Sequence, residues 1–216
     1  MNAQESEGGM WATFSTKYEL NKRIDLGVEG QFRLDDDFSR YDASLLDAGG
    51  SYKINKYLKA GATYRFGHSQ RDPGYFETRH RIAVDFRADD GFGEWDLDFR
   101  VRYQVGISNI KTTEGNADLK DAIRYRLKAD RKLISKTDLS LSMELFQNTN
   151  LAFAELTDWR FRAEISRKIK KRQSASIGYM TQREMNANNP LMQHILTVGY
   201  SVKLKFKKKK DKGSQE

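Results

Sequence analysis

The stretch Arg23-Ile-Asp-Leu-Gly-Val-Glu-Gly-Gln-Phe-Arg-Leu-Asp35 alternates almost without a break. Ile24, Leu26, Val28, Phe32 and Leu34 fall on one face, and Arg23, Asp25, Glu29, Gln31, Arg33 and Asp35 on the other. Successive strand side chains point to opposite faces, so period two predicts a strand with one apolar and one charged side. The pattern recurs in Leu58, Ala60, Ala62, Tyr64 and Phe66 against Lys59, Thr63 and Arg65, and in Ile82, Val84 and Phe86 against Arg79, Arg81, Asp85 and Arg87. It returns in Trp95, Leu97, Phe99, Val101, Tyr103 and Val105 against Asp96, Asp98, Arg100, Arg102 and Gln104. Thr157, Trp159, Phe161, Ala163 and Ile165 oppose Asp158, Arg160, Arg162 and Glu164, and a last apolar row runs from His194 through Leu196, Val198, Tyr200, Val202 and Leu204 to Phe206. About eleven such segments of roughly 10–14 residues follow one another, about twice the usual strand length in globular domains.

Leu119, Ile123, Leu127 and Ile134 also fit a helical spacing. The alternation of Ile123, Tyr125, Leu127 and Ala129 with Arg124, Arg126, Lys128 and Asp130 continues the neighbouring pattern, so a strand is expected there as well. Pro73 and Pro190 both fall between segments, where a missing backbone donor costs no ladder bond. Tyr18-Glu-Leu-Asn-Lys and Tyr52-Lys-Ile-Asn-Lys form a weak internal repeat, each reading as a strand end followed by a tight Asn-Lys turn.

The chain has 216 residues, a net charge of +8 and no cysteine, which removes disulfides, zinc-thiolate sites and cysteine nucleophiles. Charged residues make up 31% and the mean hydropathy is -0.78, too polar for a helical membrane protein. Met185 to Val202 is the longest stretch free of Lys, Arg, Asp and Glu, and Asn186, Asn188, Asn189 and Pro190 interrupt it, so no helix is expected to span a bilayer.

Tight connections are expected near Asn21-Lys22, Asn55-Lys56, Asp89 to Gly93, Ser135 to Thr137 and Lys168 to Arg172. Longer ones are expected near Asp35 to Arg40, Gly67 to Tyr75, Gly106 to Leu119, Gln147 to Leu156 and Glu184 to Leu191. Short turns at one end and long loops at the other describe an all-β, antiparallel up-and-down transmembrane barrel of 10–12 strands, with turns in the periplasm and loops outside. Closure is needed because lipid offers no partner to an open sheet edge. The competing architecture is a soluble lipocalin-like barrel or sandwich with the apolar faces inward. Aromatics near the ends of the apolar rows favour the membrane form: Trp11, Tyr18, Tyr52, Phe66, Trp95, Tyr103, Trp159 and Phe206 are expected to form girdles at the two interfaces. The parts are an N-terminal segment 1–10, a barrel 11–206 and a basic periplasmic tail 207–216. Met1-Asn2-Ala3-Gln4 reads as the end of a signal peptide cleaved after Ala3. Eleven strands ending in the periplasm would start the first at the outer end, whereas bacterial barrels have even numbers. Either the count is off by one or residues 1–10 take an unusual route, for instance through the lumen.

Tyr64-Arg65, His80-Arg81, Arg100-Val-Arg102-Tyr103-Gln104, Arg124-Tyr125-Arg126 and Arg160-Phe161-Arg162, together with Trp11 and the Asn-Lys turns, resemble a family of uncharacterised Gram-negative outer-membrane barrels, domain of unknown function 2490. Gly199 to Phe206 also resembles the C-terminal insertion signal of outer-membrane barrels. The resemblance runs from about Trp11 to Phe206 and implies the fold and the outer membrane as location, without an activity.

Arg79, Arg81, Arg87, Arg100, Arg102, Arg124, Arg126, Arg160 and Arg162 share the polar faces with Asp85, Asp96, Asp98 and Glu164, and with Asp25, Glu29, Glu77, Asp130 and Asp158. Small residues, Gly27, Gly49, Gly61, Thr63, Ser176, Gly178, Gly199 and Ser201, occupy the polar faces of the early and late segments. On closure the small residues form one wall and arginines reach across from the other. The expected result is a lumen filled by Arg-carboxylate pairs, and the alternative is a narrow anion-preferring pore. No catalytic, cofactor or metal site is expected. His194 and Thr197 or Ser201 point to opposite faces, which weakens a hydrolase reading, and Asp35, Asp36 and Asp37 read as a solvated loop. The expected partners are outer-membrane lipid and an unidentified membrane protein, with no nucleic acid.

Overall fold

In the computed structural model, residues 6–72, 75–108, 118–149, 155–187 and 189–205 are described. Phe206, the residues around Ala3 and the basic tail lie outside them. Eleven strands follow in order: β1 (Ser6–Glu19), β2 (Ile24–Asp35), β3 (Arg40–Lys53), β4 (Leu58–Asp72), β5 (Tyr75–Phe92), β6 (Trp95–Ser108), β7 (Asp118–Ile134), β8 (Thr137–Asn148), β9 (Glu155–Lys170), β10 (Gln173–Glu184) and β11 (Met192–Lys205). They close into one barrel in sequence order.

Every sequential pair is antiparallel, but β1 and β11 pair in parallel from Ser6↔Met192 to Glu19↔Lys205. The wholly antiparallel barrel expected from the sequence is corrected here. With an odd number of alternating strands the first and last run the same way, so the closing seam has to be parallel. The count of eleven therefore stands, and β1 lies in the wall from Ser6 on, five residues before the expected start at Trp11.

At one end, called the turn end, connections are short: 20–23, 54–57, 93–94, 135–136 and 171–172. Both copies of the Asn-Lys repeat turn alike. Asn21 Oδ1 accepts the amides of Arg23 and Ile24, each at 2.8 Å, and Asn55 Oδ1 accepts those of Tyr57 and Leu58, also at 2.8 Å. This side-chain mimic of a backbone turn explains why Asn recurs at that position. Gly93 takes a left-handed φ of 61° in the two-residue turn between β5 and β6.

At the other end, the loop end, 109–117, 149–154 and 185–191 are long, whereas 36–39 and 73–74 are short. The expected long connection from Gly67 to Tyr75 is corrected. His68↔Thr78, Ser69↔Glu77 and Gln70↔Phe76 continue the ladder, so β4 and β5 run past the apolar rows on polar residues. In the 36–39 turn Asp37 accepts the Gly8 amide at 3.1 Å, and Asp35 pairs with Arg40.

The radial polarity is inverted relative to a water-soluble domain. Among the described residues with almost no exposure, ten are polar or charged and five are apolar. Phe14, Leu46, Ile82, Phe86 and Ile177 point outward and are each more than half exposed. A soluble barrel would place such side chains inside.

Candidate functional site: the arginine-lined lumen

Alternation carries one parity of each strand into the lumen. Odd positions of β5 and even positions of β6 to β9 point inward, which brings the arginines of β5, β6, β7 and β9 onto one arc with the acidic Glu144 of β8 among them. Glu144 of β8 is the hub of that arc. It accepts Arg100 Nη2 at 2.6 Å, and Arg124 at 3.2 Å and 2.7 Å through Nε and Nη2, while Arg160 Nη1 stands 3.7 Å away. Asp85 is the second anchor, held in a fork by Arg102 at 2.5 Å and 2.8 Å and touched by Arg87 at 3.3 Å. Bidentate guanidinium-carboxylate pairs fix orientation as well as charge. Arg126 pairs with Asp98 at 2.7 Å, Arg162 with Glu164, Arg65 with Asp47 at 2.5 Å, and Arg79 with Glu77 at 2.8 Å.

Above the hub, toward the loop end, rings and guanidiniums stack across the lumen. Arg33 Cζ lies 3.6 Å from the centre of the Trp11 ring, and Arg160 Cζ lies 5.2 Å from it on the β9 side. Arg160 also approaches Phe146 at 4.9 Å, and Arg124 reaches the same ring at 4.4 Å. Arg33, Trp11, Arg160, Phe146 and Arg124 thus form a bar from β2 to β7. Trp11 also packs with Met180 and Ile195 in a small apolar cluster, and Gln182 receives Arg160 at 2.5 Å and 3.0 Å.

Below the bar lies a cavity of about 620 Å³. Gly27, Gly49, Gly61, Ser51 and Thr63 line one side and Arg81, Arg87, Arg102 and Arg126 the other. Its wall carries eleven basic residues against five carboxylates, a clear cationic excess. Side-chain exposure is 2% at Asp85, 23% at Arg126 and 36% at Arg87, so the cavity opens toward the turn end.

All thirteen expected lumen residues occupy inward positions. Twelve lie within this arc, while Asp96 sits exposed at the turn-end mouth beside Asp130. The Arg81 side chain lines the cavity without a hydrogen bond or ion pair to another described residue. The expected small wall divides in two. Gly27, Gly49, Gly61 and Thr63 border the cavity, whereas the β10 and β11 members pack against each other, as a Cβ on Gly199 would lie 2.5 Å from Ser176 Oγ.

One girdle residue is corrected. Trp11 faces inward at 9% exposure, beside Arg33 and Thr197 in the register. It shares its parity with Thr13, Ser15 and Lys17, a polar row that carries it into the lumen. Tyr18, Tyr52, Phe66, Trp95, Tyr103 and Trp159 do face outward. Glu144, Phe146, Arg33 and Asp47 are lumen residues that the sequence reading missed. Ser140, Ser142, Glu144 and Phe146 alternate with Leu139, Leu141, Met143 and Leu145, which was the available signal. His194 points outward with its Nδ1 at the Tyr179 hydroxyl, while Thr197 is buried inside. Among the described residues no group of His, Asp and Glu is spaced to hold a metal.

A family model described as a protein of unknown function (DUF2490) matches residues 8–193. The chain belongs to this family. No curated protein matches it significantly. The DUF2490 match runs from β1 into the start of β11, so it takes in the hub, the bar and the whole arginine arc.

Proposed function

We propose that this DUF2490 protein is an integral β-barrel of the Gram-negative outer membrane, with its turn end in the periplasm and its lumen closed by its own side chains. Its role is then structural, or that of a partner subunit presenting loops outside, rather than catalytic. The observation that carries the reading is the inverted polarity: large apolar side chains cover the outside while buried ion pairs line the inside. Water would penalise such an outer surface, whereas hydrocarbon accepts it and requires a closed ladder, which the β1–β11 seam completes. Outward Tyr52 and Tyr103 supply amphipathic rings of the kind that favour membrane interfaces.

The three tryptophans provide the test, because Trp95 and Trp159 face out and Trp11 faces in. In vesicles containing brominated phosphatidylcholine, fluorescence of the Trp11→Phe variant should be strongly quenched. A variant retaining Trp11 alone, with Trp95→Phe and Trp159→Phe, should be quenched far less. Equal quenching, or a chain that stays in the soluble fraction, overturns the reading. The cationic excess of the cavity favours a second reading, an anion-preferring pore, in which Arg102→Ala would change ion selectivity.

A further inference from the structure

The lumen wall sets like charges directly opposite one another. Arg65 faces Arg81, Arg87 faces Arg100, and Arg102 faces Arg124 across neighbouring strands. Like charges in direct register destabilise a sheet unless an anion sits between them. Asp85 serves Arg87 and Arg102, and Glu144 serves Arg100 and Arg124. The Arg65–Arg81 pair is different, since Asp47 is engaged by both the Nε and the Nη2 of Arg65 at 2.5 Å, and the Arg81 side chain has no hydrogen-bond or ion-pair partner among the described residues. Beside these guanidiniums, on β4 and its neighbour β3, the inward positions are Gly61, Thr63 and Gly49, whose small size leaves room in the lumen next to Arg81.

We propose that this cup binds a small, soluble, multivalent phosphate-bearing anion, with Arg81 as its principal ligand and Arg87 as a second contact nearer the turn-end mouth. A volume of about 620 Å³ lies within the usual range of small-molecule sites. Guanidinium forks match the geometry of phosphate oxygens, and several around one space favour a ligand with more than one oxyanion group. Eleven fully paired strands leave no side entrance, so the ligand enters from water at the turn end. The inference rests on the geometry of the lumen alone, and its failure would leave the membrane reading intact.

The test is isothermal titration of the full chain, folded in detergent micelles, with inorganic pyrophosphate at an ionic strength fixed by sodium chloride. Saturable one-to-one binding is expected, weakened at least tenfold by Arg81→Gln and unchanged by Lys56→Gln on an exposed turn. If Arg81→Gln fails to fold, as judged by the gel shift between folded and heated forms, Arg87→Gln is read in its place. Absence of saturable binding, equal affinity in the arginine variant, or equal weakening by Lys56→Gln overturns the proposal.

Discussion

The two halves of the lumen solve the same problem differently. Toward the loop end the space is packed: Ala43, Met180 and Ile195 are almost wholly buried, and the bar from Arg33 to Arg124 crosses it. Toward the turn end glycines replace side chains on one wall, and charges face a water-accessible cup. The contrast teaches that closure and charge are separate properties of this barrel. In the reading proposed above the rings and their guanidiniums close it, and the ion-pair hub beneath them holds two of those guanidiniums, Arg124 and Arg160, in place.

The hub is where the comparison breaks most readily. Glu144→Gln leaves Arg100, Arg124 and Arg160 without their shared carboxylate, and removing one partner of a buried ion pair costs about 3–5 kcal/mol. Urea unfolding in lipid vesicles, followed by the heat-dependent gel shift, should show that loss. In the packed half, Met180→Ala opens a hole beside Trp11 and should cost about 2–4 kcal/mol in the same assay, in line with large-to-small core changes. In the open half the sensitive positions are glycines that press on backbone. A Cβ at Gly49 would lie 2.5 Å from the Ala62 carbonyl oxygen, so Gly49→Ala should cost about 1–3 kcal/mol, as overpacking does. Gly30 has nothing within 4 Å of that position, and Gly30→Ala should be tolerated. At the rim, Lys168 stands 3.9 Å from Asp138 with 61% of its side chain exposed, and Lys168→Gln should leave the unfolding midpoint unchanged.

Much of this was legible in the sequence because one rule, period two, governs both faces of every strand. Once the alternation of Arg100, Arg102 and Gln104 against Tyr103 and Val105 is read, the inward direction of those arginines follows. Residue chemistry misled where it was put before parity. Trp11 looks like a girdle residue because it is a tryptophan near a strand end, yet Thr13, Ser15 and Lys17 mark its side as the inner one. Phe146 is hidden in the same way by its apolar character. Polar composition concealed the continuation of β4 through His68 and Ser69, because strands that outrun the apolar belt lose the pattern that identifies them. Which carboxylate meets which arginine was not legible, since those pairings depend on register between strands and on how far a guanidinium reaches across the lumen. The parallel seam follows from the odd strand count.

The closed lumen is tested most directly by single-channel current from the full chain inserted in a planar bilayer, after the heat-dependent gel shift has shown it folded. Electrical silence is the expected result, because the bar through Trp11 and Phe146 spans the lumen above the cup. A steady ohmic current favouring anions would contradict closure and make the arginine arc the selectivity element of an open pore.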